Sequence, residues 1–199
     1  MKHNSRTLVH NILLSAKARK LLTLCPRPEG RGNKTLEMID IVIFQNFDEI
    51  SEPVKKLKSA GKKIVFTNGV FDIIHRGHVE YLTAAKELGD ILIVGMNSDK
   101  SVKIIKGDKR PIVSEENRAF VLSNLKPVDY VVIFNEDNPL ELIRRILPDV
   151  LVKGADWEKD KIIGSDVVIA NGGEVKTIKF VENNSSTNII ESVIEKYCK

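Results

Sequence analysis

The densest run of chemistry-bearing side chains is Thr67-Asn68-Gly69-Val70-Phe71-Asp72-Ile73-Ile74-His75-Arg76-Gly77-His78. Two of the chain's four histidines, His75 and His78, stand three residues apart in it. Imidazoles can donate hydrogen bonds to phosphate oxygens. His78 falls where a helix should start, and a helix N-terminus offers free N–H groups and partial positive charge to an anion. Gly69 lets the backbone turn tightly and approach a ligand. Gly77 removes a side chain that would crowd the site. Two other readings fit the same residues. They could be capping histidines, or two of three metal ligands with Asp72 as the one nearby candidate for the third.

The surrounding pattern sets this run at the end of a strand. Short apolar, β-branched runs at 64–67, 91–94, 130–134, 150–152 and 175–178 read as five buried strands. Helical patterns alternate with them at 52–60, 77–88, 98–106, 115–125, 139–147, 163–170 and 187–197, several stopped by glycine. Continuous apolar strands alternating with helices imply an α/β, Rossmann-like doubly wound five-stranded parallel sheet. Ligands in such sheets sit beyond the carboxyl ends of the strands, where the strand order reverses. The histidine run follows the first of the five strands and opens the next helix.

Composition narrows the partners. The chain has 199 residues, 42% hydrophobic and 29% charged, enough for one domain with an extension. Residues 1–37 hold eight Lys/Arg against two Asp/Glu, whereas 38–199 hold 23 against 25. The basicity therefore belongs to the extension. It reads as a transit-type leader, translated upstream sequence with Met38 as the natural start, or an accessory helix over 6–24. A body near neutrality lacks the basic face of a nucleic-acid binder. The longest apolar run, 91–96, is far short of the ~18 residues of a membrane span. Cys25 and Cys198 match no metal or CxxC spacing, which suits a reducing, cytoplasmic setting. The sequence contains no GxGxxG after the first of these strands, no GxxxxGK[ST] and no GxSxG.

The segment from Gly69 to His78 resembles the GxFDxxHxGH signature of the cytidylyltransferase-like nucleotidylyltransferases, and the likeness extends over roughly residues 45–199. Within that superfamily the chain is most similar to the adenylyltransferases of ADP-heptose synthesis. The segments that carry this are Tyr81-Leu82-Thr83-Ala84-Ala85-Lys86-Glu87-Leu88-Gly89-Asp90, Asn97-Ser98-Asp99-Lys100-Ser101-Val102-Lys103, Lys106-Gly107 with Arg110-Pro111, Pro148-Asp149-Val150-Leu151-Val152-Lys153-Gly154-Ala155-Asp156, and Ser185-Ser186-Thr187. The length leaves no room for the sugar kinase often fused to this activity, so a stand-alone form is expected.

The resemblance implies attack of a sugar 1-phosphate oxygen on the α-phosphorus of ATP, with release of pyrophosphate. A phosphate dianion needs no general base, so positioning and charge neutralisation can carry the catalysis. It implies His75, His78 and Lys106 as catalytic groups, with Lys103 an alternative to Lys106. It implies a nucleotide site of Asn68, Gly69, Val70, Phe71, Asp72, Gly77, Arg118, Lys153, Gly154, Asp156, Ser186 and Thr187. Trp157 could close over the nucleotide or simply pack. Magnesium and a homodimer are also implied, and neither nucleic acid nor a membrane is expected as partner. One departure matters. Related cytidylyltransferases carry an arginine six residues before the helix-start threonine, and here that position is Val181. The phosphate site must then lean on lysine, magnesium or Asn183 and Asn184. This separates the chain from the glycerol-phosphate branch. The rivals are a CTP-dependent enzyme acting on a polyol or amino-alcohol phosphate, and a non-catalytic nucleotide sensor on the same fold.

Overall fold

The computed structural model describes residues 42–155, 161–179 and 185–198. In chain order the elements are β1 (Val42–Phe44), α1 (Phe47–Ser59), β2 (Ile64–Gly69), α2 (Arg76–Lys86), β3 (Ile91–Asn97), α3 (Asp99–Lys106), α4 (Glu115–Ser123), β4 (Tyr130–Phe134), α5 (Leu140–Ile146), β5 (Val150–Gly154), α6 (Ser165–Ala170), β6 (Glu174–Ile178) and α7 (Ser186–Tyr197). The strands form one sheet in the order β1-β4-β3-β2-β5-β6, every neighbouring pair parallel.

The expected five strands are present, and the sheet has a sixth. β1 pairs with β4 through Val42↔Tyr130, Ile43↔Val131 and Phe44↔Val132. Three residues at a sheet edge leave too short a pattern to separate from a linker. α1 starts at Phe47, five residues before its expected start. Asn46 caps it by accepting from the N–H groups of Asp48 and Glu49, while Glu49 accepts from the Gln45 N–H. Pro53 lies inside the helix, as it does in the expected span.

Alternate strand residues feed two cores, because successive side chains point to opposite faces. Ile64, Phe66, Ile91, Ile93 and Leu151 pack with Ile50, Val54, Leu57, Leu142 and Ile143 from α1 and α5. Val65, Leu92, Val94, Met96 and Val152 pack with Tyr81, Leu82, Ala85, Ala119 and Leu122 from α2 and α4. Both faces are covered, as a parallel sheet requires. The chain moves from β2 out to β3 and β4, then returns across β2 to β5. The order therefore reverses between β2 and β5, and the histidine run leaves the sheet at that point.

Candidate phosphate-binding site

β2 ends at Gly69, and α2 begins at Arg76 with His75 in extended conformation as its N-cap. His75 accepts from the His78 N–H through its carbonyl at 3.0 Å, but its ring caps nothing. The two imidazoles are stacked, with centroids 3.9 Å apart and planes at 26°. Burial lowers the pKa of His75. Burial first, and then the neighbouring His75, push His78 down to about 4. Both rings are thus neutral near pH 7, and each keeps one N–H to donate. Among the described residues, the buried side-chain polar atoms lacking a hydrogen-bond partner are Asn68 Oδ1, His75 Nδ1 and His78 Nδ1. Native interiors satisfy nearly all such atoms, so three of them within eleven residues of one loop mark a place built for something else.

The sharp backbone turn of this loop falls on a different residue from the one expected. Gly69 is not among the positive-φ residues; Phe71 is, at φ +48°. A Cβ on Gly69 would meet the Phe71 ring at 3.0 Å, so the glycine makes room for that ring.

Asp72 is a loop organiser. Its side chain is 1% exposed, and its oxygens accept from Arg110 Nε at 2.7 Å and from the Ile112 and Val113 N–H groups. Burial raises its pKa, but the two backbone N–H groups and the Arg110 guanidinium outweigh that and hold the carboxyl below its ordinary value. Arg118, on α4, is buried completely. It donates to the carbonyls of Val113, Val70 and Asn97 and to Asp99 Oδ1. Together these two side chains tie the loop that follows β2 to segment 110–118. Arg118 could be flagged by its motif, but its partners are mostly backbone carbonyls, which no sequence pattern displays.

Lys153 reaches from β5 towards β2, with Nζ 3.5 Å from the Asn68 carbonyl. It therefore brings a cation to the reversal point, where Gly154 is also buried. Gly77 is buried in the first turn of α2. Lys106 is the last residue of α3 and is exposed, as is Lys103. At α7 the cap is Ser185, whose hydroxyl accepts from the Asn188 N–H, and not Ser186. Ser186 Oγ instead donates to the Ile73 carbonyl at 3.2 Å, drawing the helix start to the loop that follows β2, while Thr187 is exposed. Asp156, Trp157, Val181, Asn183, Asn184, Cys25 and the extension 1–37 lie outside the described residues. No group of three or more His, Cys, Asp or Glu suited to a metal ion occurs among the described residues. Asp72, the loop's carboxylate, is already committed to three donor groups. No helix among them is long and apolar enough to cross a membrane.

A parallel sheet whose order reverses beside a helix-start histidine pair is an arrangement suited to holding a nucleotide's phosphates. The cytidylyltransferase-like family model matches residues 66–192, and the chain belongs to that family. It is 48% identical over 154 residues to the bifunctional protein HldE of Pelobacter propionicus, covering 77% of this chain and 32% of that protein. It is 55% identical over 148 residues to the same-named protein of a Nitratiruptor species, covering 74% and 31%. The chain therefore spans about a third of the length of these relatives. A solved lipopolysaccharide core biosynthesis protein from Thermoplasma volcanium is 30% identical with a TM-score of 0.50, covering 62% of this chain and 100% of that one. A pantoate-beta-alanine ligase from Francisella tularensis, 15% identical with a TM-score of 0.53 over 78% of this chain and 79% of its own, shares the fold.

Proposed function

We propose that the chain is an adenylyltransferase that transfers AMP from ATP to D-glycero-β-D-manno-heptose 1-phosphate, giving ADP-heptose and pyrophosphate. The observation that carries the chemistry is the stacked, neutral His75–His78 pair at the start of α2. The choice of sugar is supported by the heptose-branch segments, by the HldE relatives at 48–55% identity and by the likeness to a lipopolysaccharide core biosynthesis protein.

In this reading a sugar-phosphate oxygen forms a bond to the α-phosphorus as the bond from that phosphorus to the bridging oxygen of pyrophosphate breaks. The attacking phosphate already carries its charge, so no side chain has to remove a proton. His75 and His78 donate N–H bonds to the nucleotide phosphates, and the free N–H groups of the α2 start add to them. Lys106 and Lys153 supply cationic charge, and Ser186 and Thr187 receive the outer phosphates through their backbone N–H groups at the α7 start, with the Thr187 hydroxyl beside them. Asp72 and Arg118 hold the loop that presents these donors. Magnesium finds no cage of protein ligands among the described residues. It would arrive on the triphosphate, whose oxygens commonly supply its ligands, and would supply charge neutralisation there.

The reading places the enzyme in the cytoplasm, where ATP is made, as a homodimer. The test is pyrophosphate release across two donors and two acceptors. ATP with the heptose phosphate should turn over, and CTP with glycerol 3-phosphate should not. The reverse pattern would move the chain to the CTP-dependent branch. Nucleotide binding with no turnover of any pair would make it a sensor.

A further inference from the structure

The strained residue of the phosphate loop is an aromatic one. Phe71 takes φ +48°, a conformation that glycine adopts freely and bulky residues rarely do. A position that needed only this backbone shape would be served better by glycine, so the side chain has its own use. The ring is 5% exposed, and its centroid lies 5.3 Å from that of His78 at an interplanar angle of 56°. His78 stacks on its other neighbour, His75, at 3.9 Å. Gly69 is the companion device, since a Cβ there would press on Phe71 Cε2 at 3.0 Å and Cζ at 3.3 Å.

An imidazole that must donate from one nitrogen is usually oriented by a hydrogen bond on the other. His78 lacks that bond. Its Nδ1 is buried and has no partner among the described residues, and the same holds for His75. What fixes the plane of the His78 ring is contact with two other rings. The geometry points to Phe71 as a positioning residue that orients His78 by ring contact, in place of the missing hydrogen bond. This rests on the reading of His78 as a phosphate donor. The burial that Phe71 contributes also favours a neutral His78 ring, which keeps one N–H available and the other nitrogen unprotonated.

Two variants separate the ring from the backbone. Phe71→Leu keeps an apolar side chain and the same left-handed backbone, but loses the flat face. Gly69→Ala leaves Phe71 in place and pushes its ring by a few tenths of an ångström. Each is checked for folding by circular dichroism. Each is then read by turnover with ATP and by the NMR shifts of the His78 ring protons, which neighbouring aromatic rings displace. In Phe71→Leu, kcat should fall about tenfold or more, because misorienting a reacting group is costly. KM for ATP should stay within about threefold, a split expected when an interaction matters mainly in the transition state. The chemical shifts of the His78 ring protons should change. Gly69→Ala should give a smaller change in both readouts. A folded Phe71→Leu variant with wild-type kcat, or with reduced kcat and unmoved His78 resonances, would overturn the proposal. The NMR arm needs no substrate. If the wild-type protein turns over no nucleotide, the adenylyltransferase reading fails, while unmoved resonances would still sink the positioning role separately.

Discussion

Arg118→Met tests whether the buried guanidinium holds the site together or touches the nucleotide. The side chain of Arg118 is 0% exposed and donates to three carbonyls, those of Val113, Val70 and Asn97, and to Asp99 Oδ1 at 2.7 Å. Methionine fills much of the same volume and leaves all four acceptors without their donor. Each lost hydrogen bond is worth about 1 kcal/mol net. The Asp99 partner is 34% exposed, so screening by solvent limits that pair to about 1 kcal/mol or less. The total cost is therefore about 3–4 kcal/mol, which for a domain of this size lowers Tm by roughly 10 °C. Thermal unfolding followed by circular dichroism reads this directly. Titration of ATP well below the new Tm reads the second half, since the folded fraction should retain nucleotide affinity within a few fold. Arg118→Lys should recover only the Asp99 contact and melt between the two. If Arg118→Met melts like the wild type but loses ATP binding, the guanidinium contacts the nucleotide itself and the tie described here is wrong.

Three further outcomes follow from the same geometry. His78 titrates near 4 when folded against an ordinary 6.5, so between these values the unfolded chain binds a proton that the folded protein refuses. Stability should therefore fall as pH drops through this window, by at most about 3 kcal/mol since the ring is part-exposed, and the dependence on pH should flatten in His78→Gln; unfolding free energies from urea melts that change equally with pH in both proteins would contradict it. Asp72, held below its ordinary pKa, contributes stability that is present above the usual carboxylate range and lost as pH falls through its lowered value. Asp72→Ala should cost about 3 kcal/mol at pH 7 by stranding Arg110 and two backbone donors, and a Tm within about 2 °C of wild type would count against the latch. Removing residues 1–37 should leave turnover within about tenfold, or roughly 1.4 kcal/mol of barrier, because β1 begins at Val42 and every site residue named here lies beyond it; a larger loss would give the extension a role.

Much of this architecture is legible in the sequence because its strands are buried on both faces. Runs such as Ile91-Leu92-Ile93-Val94 and Tyr130-Val131-Val132-Ile133-Phe134 have few other homes in a chain of this composition. β1 is not legible, since a three-residue edge strand carries neither length nor a second covered face. The histidine pair is visible from spacing alone, and so is its place at a helix start. The mechanics of the loop are hidden for three different reasons. Asp72 meets Arg110 across 38 residues, a long-range pairing that local pattern cannot show. The Asn97, Val113 and Val70 carbonyls that hold Arg118 belong to the backbone, where residue type carries no signal. Gly69 looks like a turn glycine, yet its lack of a side chain serves the Phe71 ring two residues on. At α7 the cap lies one residue earlier than the motif suggests, because in a Ser185-Ser186-Thr187 run each residue could cap.

The His75–His78 pair is proposed to stabilise charge as it moves onto departing pyrophosphate. The most direct measurement is kcat and KM for ATP in wild type and His78→Ala, by pyrophosphate release with saturating heptose 1-phosphate. In His78→Ala, kcat should fall by about 10²-fold or more while KM changes little, since a donor used chiefly in the transition state shows itself in kcat. A raised KM with kcat unchanged would make His78 a ground-state contact and contradict the claim.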